Sequence, residues 1–142
     1  MGGIKAKNTQ PELAVRRALH ALGFRFRLHS GDLPGKPDIV LHRWKAVIFV
    51  HGCFWHGHDC PLFKLPLTRR EFWNEKIRRN IERDKEVTEK LKALGWRVLT
   101  VWECSLKGKK KLGIQAATDL IERWLREGQG NMEIRGMANG DR

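Results

Sequence analysis

Ten consecutive residues, His51-Gly-Cys-Phe-Trp-His-Gly-His-Asp-Cys60, carry two cysteines, three histidines and an aspartate. Thiolates and imidazoles are good donors to zinc, so their density here points to a metal centre. Cys53, His58 and Cys60 stand in a Cys-x4-His-x-Cys spacing, and Cys104 lies far downstream. Three thiolates and one imidazole compose a closed tetrahedral site, the usual make-up of a structural zinc. Such a site uses all three cysteines of the chain. The plainer alternative is three thiols buried in the core. With zinc on Cys53, His58, Cys60 and Cys104, His51 and His56 are left for proton chemistry.

These residues need elements to hold them. Thr9-Gln-Pro-Glu12 is a capping-box pattern with proline in the first turn, and Leu13, Val15, Ala18, Leu19 and Leu22 form an apolar stripe up to Gly23. Phe24, Phe26 and Leu28 alternate with Arg25, Arg27 and His29, which predicts a half-buried strand with a basic outer face. Pro34-Gly-Lys-Pro37 is a turn. Asp38 to Leu41 is a short strand, His42 to Trp44 a hairpin loop, and Ala46 to Val50 a strand apolar enough to be covered on both faces. Pro61 to Pro66 reads as loop. A charged helix runs from Thr68 to about Leu94, with Ile77, Ile81, Leu91 and Leu94 inward. Arg97 to Trp102 is a further strand, and Lys111 to Arg126 a last amphipathic helix. This order predicts an α/β fold with a mixed central sheet flanked by helices.

The 142 residues suit a single domain, with 1–8 and 128–142 as loose Gly-rich termini. Twenty-eight lysines and arginines against 16 acids give a formal charge of +12, which calls for a polyanionic partner, nucleic acid first. An odd cysteine count argues for metal or free thiols and not for a disulfide framework. No apolar run is long enough for a membrane and no secretory signal opens the chain, so the expected location is cytoplasmic.

Pro37-Asp38 before an apolar strand resembles the core hairpin of the PD-(D/E)xK nucleases, except that Phe49-Val50-His51 stands where Glu-x-Lys is expected. The usual acid–lysine mechanism does not carry over, and histidines are the replacements at hand. Leu33 to Val40, Val47 to His56, Glu71 to Ile77, Asn80 to Asp84 and Gly95 to Cys104 together resemble the very-short-patch repair endonucleases, over roughly residues 5–127. The resemblance implies a restriction-endonuclease-like fold, one nuclease domain over residues 1–142, and a strand-specific DNA nickase. It implies cutting 5′ of the mismatched thymine in a T:G pair left by 5-methylcytosine deamination. By motif, Asp38 and the main-chain carbonyl of Val50 hold Mg2+, which is commonly bound by few protein ligands. His56 serves as general base or proton shuttle, since imidazole exchanges protons near neutrality. His51 is a second candidate near the scissile phosphate. Glu12 matches an acidic position beside the active site, with its capping-box role as the alternative. Asp84 either orients a histidine or meets an ordinary N–H or Arg partner.

The same resemblance makes Phe54, Trp55 and Trp73 wedges that enter the duplex beside the mismatch, whereas core burial is the commoner fate of aromatics. Lys76 and Asn80 follow Trp73 at helical spacing and are expected to reach base edges; Arg69, Arg70, Arg78, Arg79 and Lys107 to Lys111 grip phosphates. The expected partner is double-stranded DNA with a T:G mismatch, bound by a monomer in the prokaryotic nucleoid, with other repair proteins acting afterwards. Two other readings stay open. One is a restriction-like or defence nuclease with another target. The other is a non-catalytic zinc DNA-binding module, for which the Asp38–His56 set has no purpose.

Overall fold

A computed structural model describes residues 9–58, 60 and 64–137. Among these residues the fold is α/β, a five-stranded mixed sheet with three α-helices. Helix α1 (Gln10–Ala21) starts as its sequence dictates: Thr9 is extended and its Oγ1 accepts the Glu12 N–H at 3.4 Å, with Pro11 in the first turn. Strands β1 (Arg27–Leu28), β2 (Ile39–Leu41) and β3 (Ala46–His51) form an antiparallel meander. Between β2 and β3 a single 3-10 turn, His42–Trp44, closes the hairpin through Lys45 in the left-handed region.

Helix α2 (Arg70–Ala93) carries the chain back so that β4 (Arg97–Trp102) pairs parallel to β3, from Ala46↔Arg97 to His51↔Trp102. A parallel neighbour requires such a crossover. Helix α3 (Ile114–Glu127) then leads to β5 (Met132–Ile134), parallel to β4 at the sheet edge. The sheet order is β1-β2-β3-β4-β5.

Period-two alternation sends side chains to the two faces. Ile39, Leu41, Ile48 and Val101 meet Val15 and Leu19 of α1 and Ile121 and Trp124 of α3. Val40, Val47, Phe49 and Val98 meet Leu91 and Trp96 on the α2 side. The central strand β3 is therefore covered on both faces, as its unbroken apolar run predicts.

Two expectations need correction. Residues 128–137 are not a loose tail: Met132–Ile134 is a strand, with Ile134 buried. Its pairing is with β4, a long-range contact that Gly-rich local composition does not reveal. The strand expected from Phe24 to His29 shrinks to two exposed residues, because Phe24 instead packs inward against Trp44 and His29 leaves the strand with φ +48°. The termini expected at 1–8 and 138–142, and part of the 61–66 loop, lie outside the described residues.

Candidate active site and metal centre

Asp38 sits just before β2, 2 % exposed, and its Oδ2 accepts the Val50 N–H at 2.7 Å. The antiparallel register that sets Ile39 against Ile48 brings these two residues together. Glu12 reaches the same place from the first turn of α1. Its buried carboxylate accepts from His29 Nε2 at 2.7 Å and lies 3.4 Å from Arg16. His29 Nε2 is also 3.9 Å from Asp38 Oδ1, and the His29 N–H donates to the Asp38 carbonyl at 3.1 Å. Ligand atoms of Glu12, His29 and Asp38 lie within 4.8 Å of one another. The Thr9 cap and the acidic cluster are thus compatible uses of one helix start: the Glu12 backbone completes the cap and its side chain faces Asp38.

A second group forms at the same end of β3, where His51 closes the strand. His51 and His56 stack face to face, with ring centroids 3.7 Å apart and planes within 4°. Asp84 of α2 holds His56 through Oδ2 and Nδ1 at 2.5 Å. Of the two partners foreseen for Asp84, it takes the histidine. Trp102 meets both rings at an angle, with centroids 5.3 and 6.2 Å away. With Nδ1 donating to the carboxylate, Nε2 of His56 carries the lone pair. Phe49, His51, His56, Asn80, Asp84 and Trp102 line part of a cleft of about 610 Å³ between α2 and the sheet.

Cys53, His58, Cys60 and Cys104 form the third group, all ligand atoms within 4.8 Å of one another. His58 Nδ1 is 3.5 Å from both Cys53 Sγ and Cys104 Sγ. Zn–S and Zn–N bonds of ~2.3 and ~2.0 Å at a tetrahedral angle place N and S ~3.5 Å apart, so these two distances, and the three-thiol, one-imidazole donor set, fit zinc. The His58 ring stacks on Trp102 at 4.0 Å, and the Gly136 N–H points at Cys104 Sγ from 3.3 Å. Burial pushes the Cys53 and Cys104 thiols up, and their thiol neighbours add to the effect for Cys53. A divalent cation reverses that preference by binding thiolate.

Beyond the zinc-type cluster the loop displays aromatics. Phe54, Trp55 and Trp73 make a mutual T-shaped group, with centroids 5.1 to 5.8 Å apart, and all three are half-buried. Exposed Phe72 extends the group under the Arg69 guanidinium at 4.3 Å. Lys76 is partly exposed on the next turn. Asn80 departs from the expectation of a base reader: it is 3 % exposed and its amide donates to the Trp55 carbonyl at 2.8 Å. In this structure it braces the aromatic loop on α2. Arg78 and Arg79 are exposed and paired with Glu75, and such pairs are weak enough to exchange for phosphate.

His29 is the member of the acidic cluster that sequence reasoning missed. Its alternation with Phe26 and Leu28 assigned it to an outward strand face. A left-handed backbone turns it inward instead, and no spacing rule signals that.

The carboxylates, the His56–Asp84 pair and the basic aromatic surface together suit hydrolysis of a polyanion, and comparison with known proteins agrees. A family described as "DNA mismatch endonuclease Vsr" matches residues 1–62. DNA mismatch endonuclease Vsr of Escherichia coli is 48 % identical over 125 residues, 88 % of this chain and 80 % of that protein. Type II nicking enzyme V.XorIIP of Xanthomonas oryzae pv. oryzae is 53 % identical over 106 residues, 75 % and 78 % of the two chains. Type II nicking enzyme V.HpaIIP of Haemophilus parainfluenzae is 36 % identical over 124 residues, 86 % and 88 %. The class is therefore that of the DNA endonucleases. Within it, the chain belongs to the Vsr family of DNA mismatch endonucleases.

Proposed function

We propose that the protein nicks one strand of duplex DNA on the 5′ side of the mismatched thymine in a T:G pair, the product of 5-methylcytosine deamination. The observation that carries this reading is the convergence of a buried Asp38, tied to Val50, and a carboxylate-held His56, stacked on His51, at the same C-terminal end of the central strand β3. That brings a metal-binding acid and a base to one end of the sheet, in a chain whose relatives are named as mismatch endonuclease and nicking enzymes.

Asp38 and the Val50 carbonyl would hold Mg2+. Their chemistry fits, since the ion takes oxygen donors and keeps much of its water. Bound there, it supplies positive charge against the phosphate as the phosphorus becomes five-coordinate. His56 takes the proton of the attacking water at Nε2, while Asp84 retains Nδ1–H and stabilises the imidazolium that forms. His51, stacked on His56, limits the freedom of that ring and is the second candidate to act near the scissile phosphate. Zinc on Cys53, His58, Cys60 and Cys104 staples the loop that carries His56. We read the whole as one restriction-endonuclease-like domain acting as a monomer, because the lesion lies in one strand.

Phe54, Trp55 and Trp73 enter beside the mismatch. Opening a step costs a few kcal/mol and less where pairing is already faulty, which gives T:G selectivity a physical source. Lys76 accompanies them, and Asn80 holds the wedge loop in place.

Strand-labelled duplexes test the reading. One carries T:G in varied methylation-site contexts and one is fully paired, each with Mg2+ and with Asp38→Ala alongside. The expected result is a single nick 5′ of the mismatched thymine that the variant does not make. Cleavage of paired DNA would move the assignment to a restriction-like enzyme, and binding without cleavage to a zinc DNA-binding module.

A further inference from the structure

Glu12 and Asp38 are 1 % and 2 % exposed, yet their carboxylates share one cluster. Two buried carboxylates that close repel each other, and each needs donors to remain ionised and fixed. Asp38 has the Val50 N–H. Glu12 has His29 and Arg16. His29 is the donor that also faces Asp38, with Nε2 toward Oδ1 and its own N–H on the Asp38 carbonyl. It does so from φ +48°, a conformation that a residue with a Cβ rarely adopts. Such strain persists where surrounding contacts over-determine it and clusters at functional sites.

We propose that His29 is a positioning residue of the nicking reaction. Its imidazole holds the Glu12 carboxylate beside Asp38, so that the two acids present preformed acceptors to a divalent cation and its water shell. This rests on the reading of Asp38 as the metal ligand. Supporting groups of this kind commonly matter ~10- to 100-fold in metal affinity or activity.

Four variants test it: His29→Gly, His29→Gln, Glu12→Gln and the double variant His29→Gly with Glu12→Gln. Glycine suits the positive φ but removes the imidazole. Glutamine keeps a donor near the position of Nε2 but must bear the φ. Two quantities are read on the full chain: Mn2+ binding by calorimetry without DNA, and single-turnover nicking of a T:G duplex against Mg2+ concentration. Thermal melts and duplex affinity accompany each variant.

His29→Gly is expected to lose ~10- to 100-fold in both readouts with duplex affinity kept, and His29→Gln to regain most of it. Adding Glu12→Gln to His29→Gly should cost little more, since the two act as one unit. Wild-type values in His29→Gly would reduce His29 to a backbone position and overturn the proposal. Additive losses in the double variant would also overturn it, by showing that His29 does not act through Glu12. If His29→Gln fails to fold, the glycine variant and the double-variant cycle still decide. If the wild type does not nick T:G duplexes, the proposed function fails while Mn2+ binding still judges His29.

Discussion

Asp84→Asn separates two things that Asp84 does for His56, holding the ring and choosing its tautomer. The carboxylate accepts from Nδ1 at 2.5 Å, so the proton stays on that nitrogen and Nε2 is left as the proposed base. Asparagine has the same shape but can offer an N–H instead. Donated to Nδ1, it drives the proton to Nε2 and leaves nothing to deprotonate water. A hydrogen bond to a charged partner contributes ~1.5–3 kcal/mol, which converts to a rate loss of ~10- to 150-fold. The Asp84 side chain is 30 % exposed, and solvent screening puts the loss in the lower half of that range. Asp84→Ala removes the hold without imposing a tautomer, so it should be the milder change. The assay is single-turnover nicking of a T:G duplex at saturating enzyme, with duplex affinity followed by fluorescence anisotropy and expected to stay constant. A rate for Asp84→Asn within ~3-fold of wild type would refute the assigned role of the pair. An alanine variant slower than the asparagine one would keep the hold but discard the tautomer argument.

Cys60→Ala should lose bound zinc and lower the melting temperature as well as the nicking rate; metal analysis and circular dichroism melts check this, and an unchanged melt sinks it. Trp55→Ala should cut T:G nicking by ~10-fold or more while shifting the melting temperature by only a few degrees, because the ring is half-buried; equal losses in both would return Trp55 to the core. Gly35→Ala should destabilise by ~2–4 kcal/mol in urea, since φ is +76° and the new Cβ would stand 2.5 Å from Val87 Cγ1 and 3.3 Å from Phe49 Cζ. A stability change below ~0.5 kcal/mol there would mean that the turn relaxes freely.

Local signals carried much of the fold. The Thr9 cap, the unbroken apolar run of β3 and the long charged helix each announce an element by a rule acting within a few residues. Chemistry likewise announced the zinc-type cluster, even to Cys104 across the whole crossover, because the cysteines had no other shared purpose. What escaped depends on contacts between distant segments. β5 is a strand only because β4 offers an edge to it. His29 turns inward only because Glu12 and Asp38 are there to meet it. Asn80 has the polarity and helical spacing of a base reader, and its burial against the Trp55 carbonyl follows from how the loop folds over α2.

Helix α2 has a mechanical consequence. It is 24 residues long, a stiff rod of ~36 Å. Trp73 stands in its first turns and Asp84 ~16 Å further on, about three full turns, so both project from the same side. On the proposed function, the rod is a ruler with the aromatic wedge at one mark and the tether of the base at another. The helix is uninterrupted between them, so their separation is fixed without a flexible joint. Inserting one residue between the two marks would lengthen the ruler by ~1.5 Å and rotate one mark by ~100° relative to the other. Neither side chain would be altered, yet the gauge that relates the proposed point of entry to the proposed point of cutting would be lost.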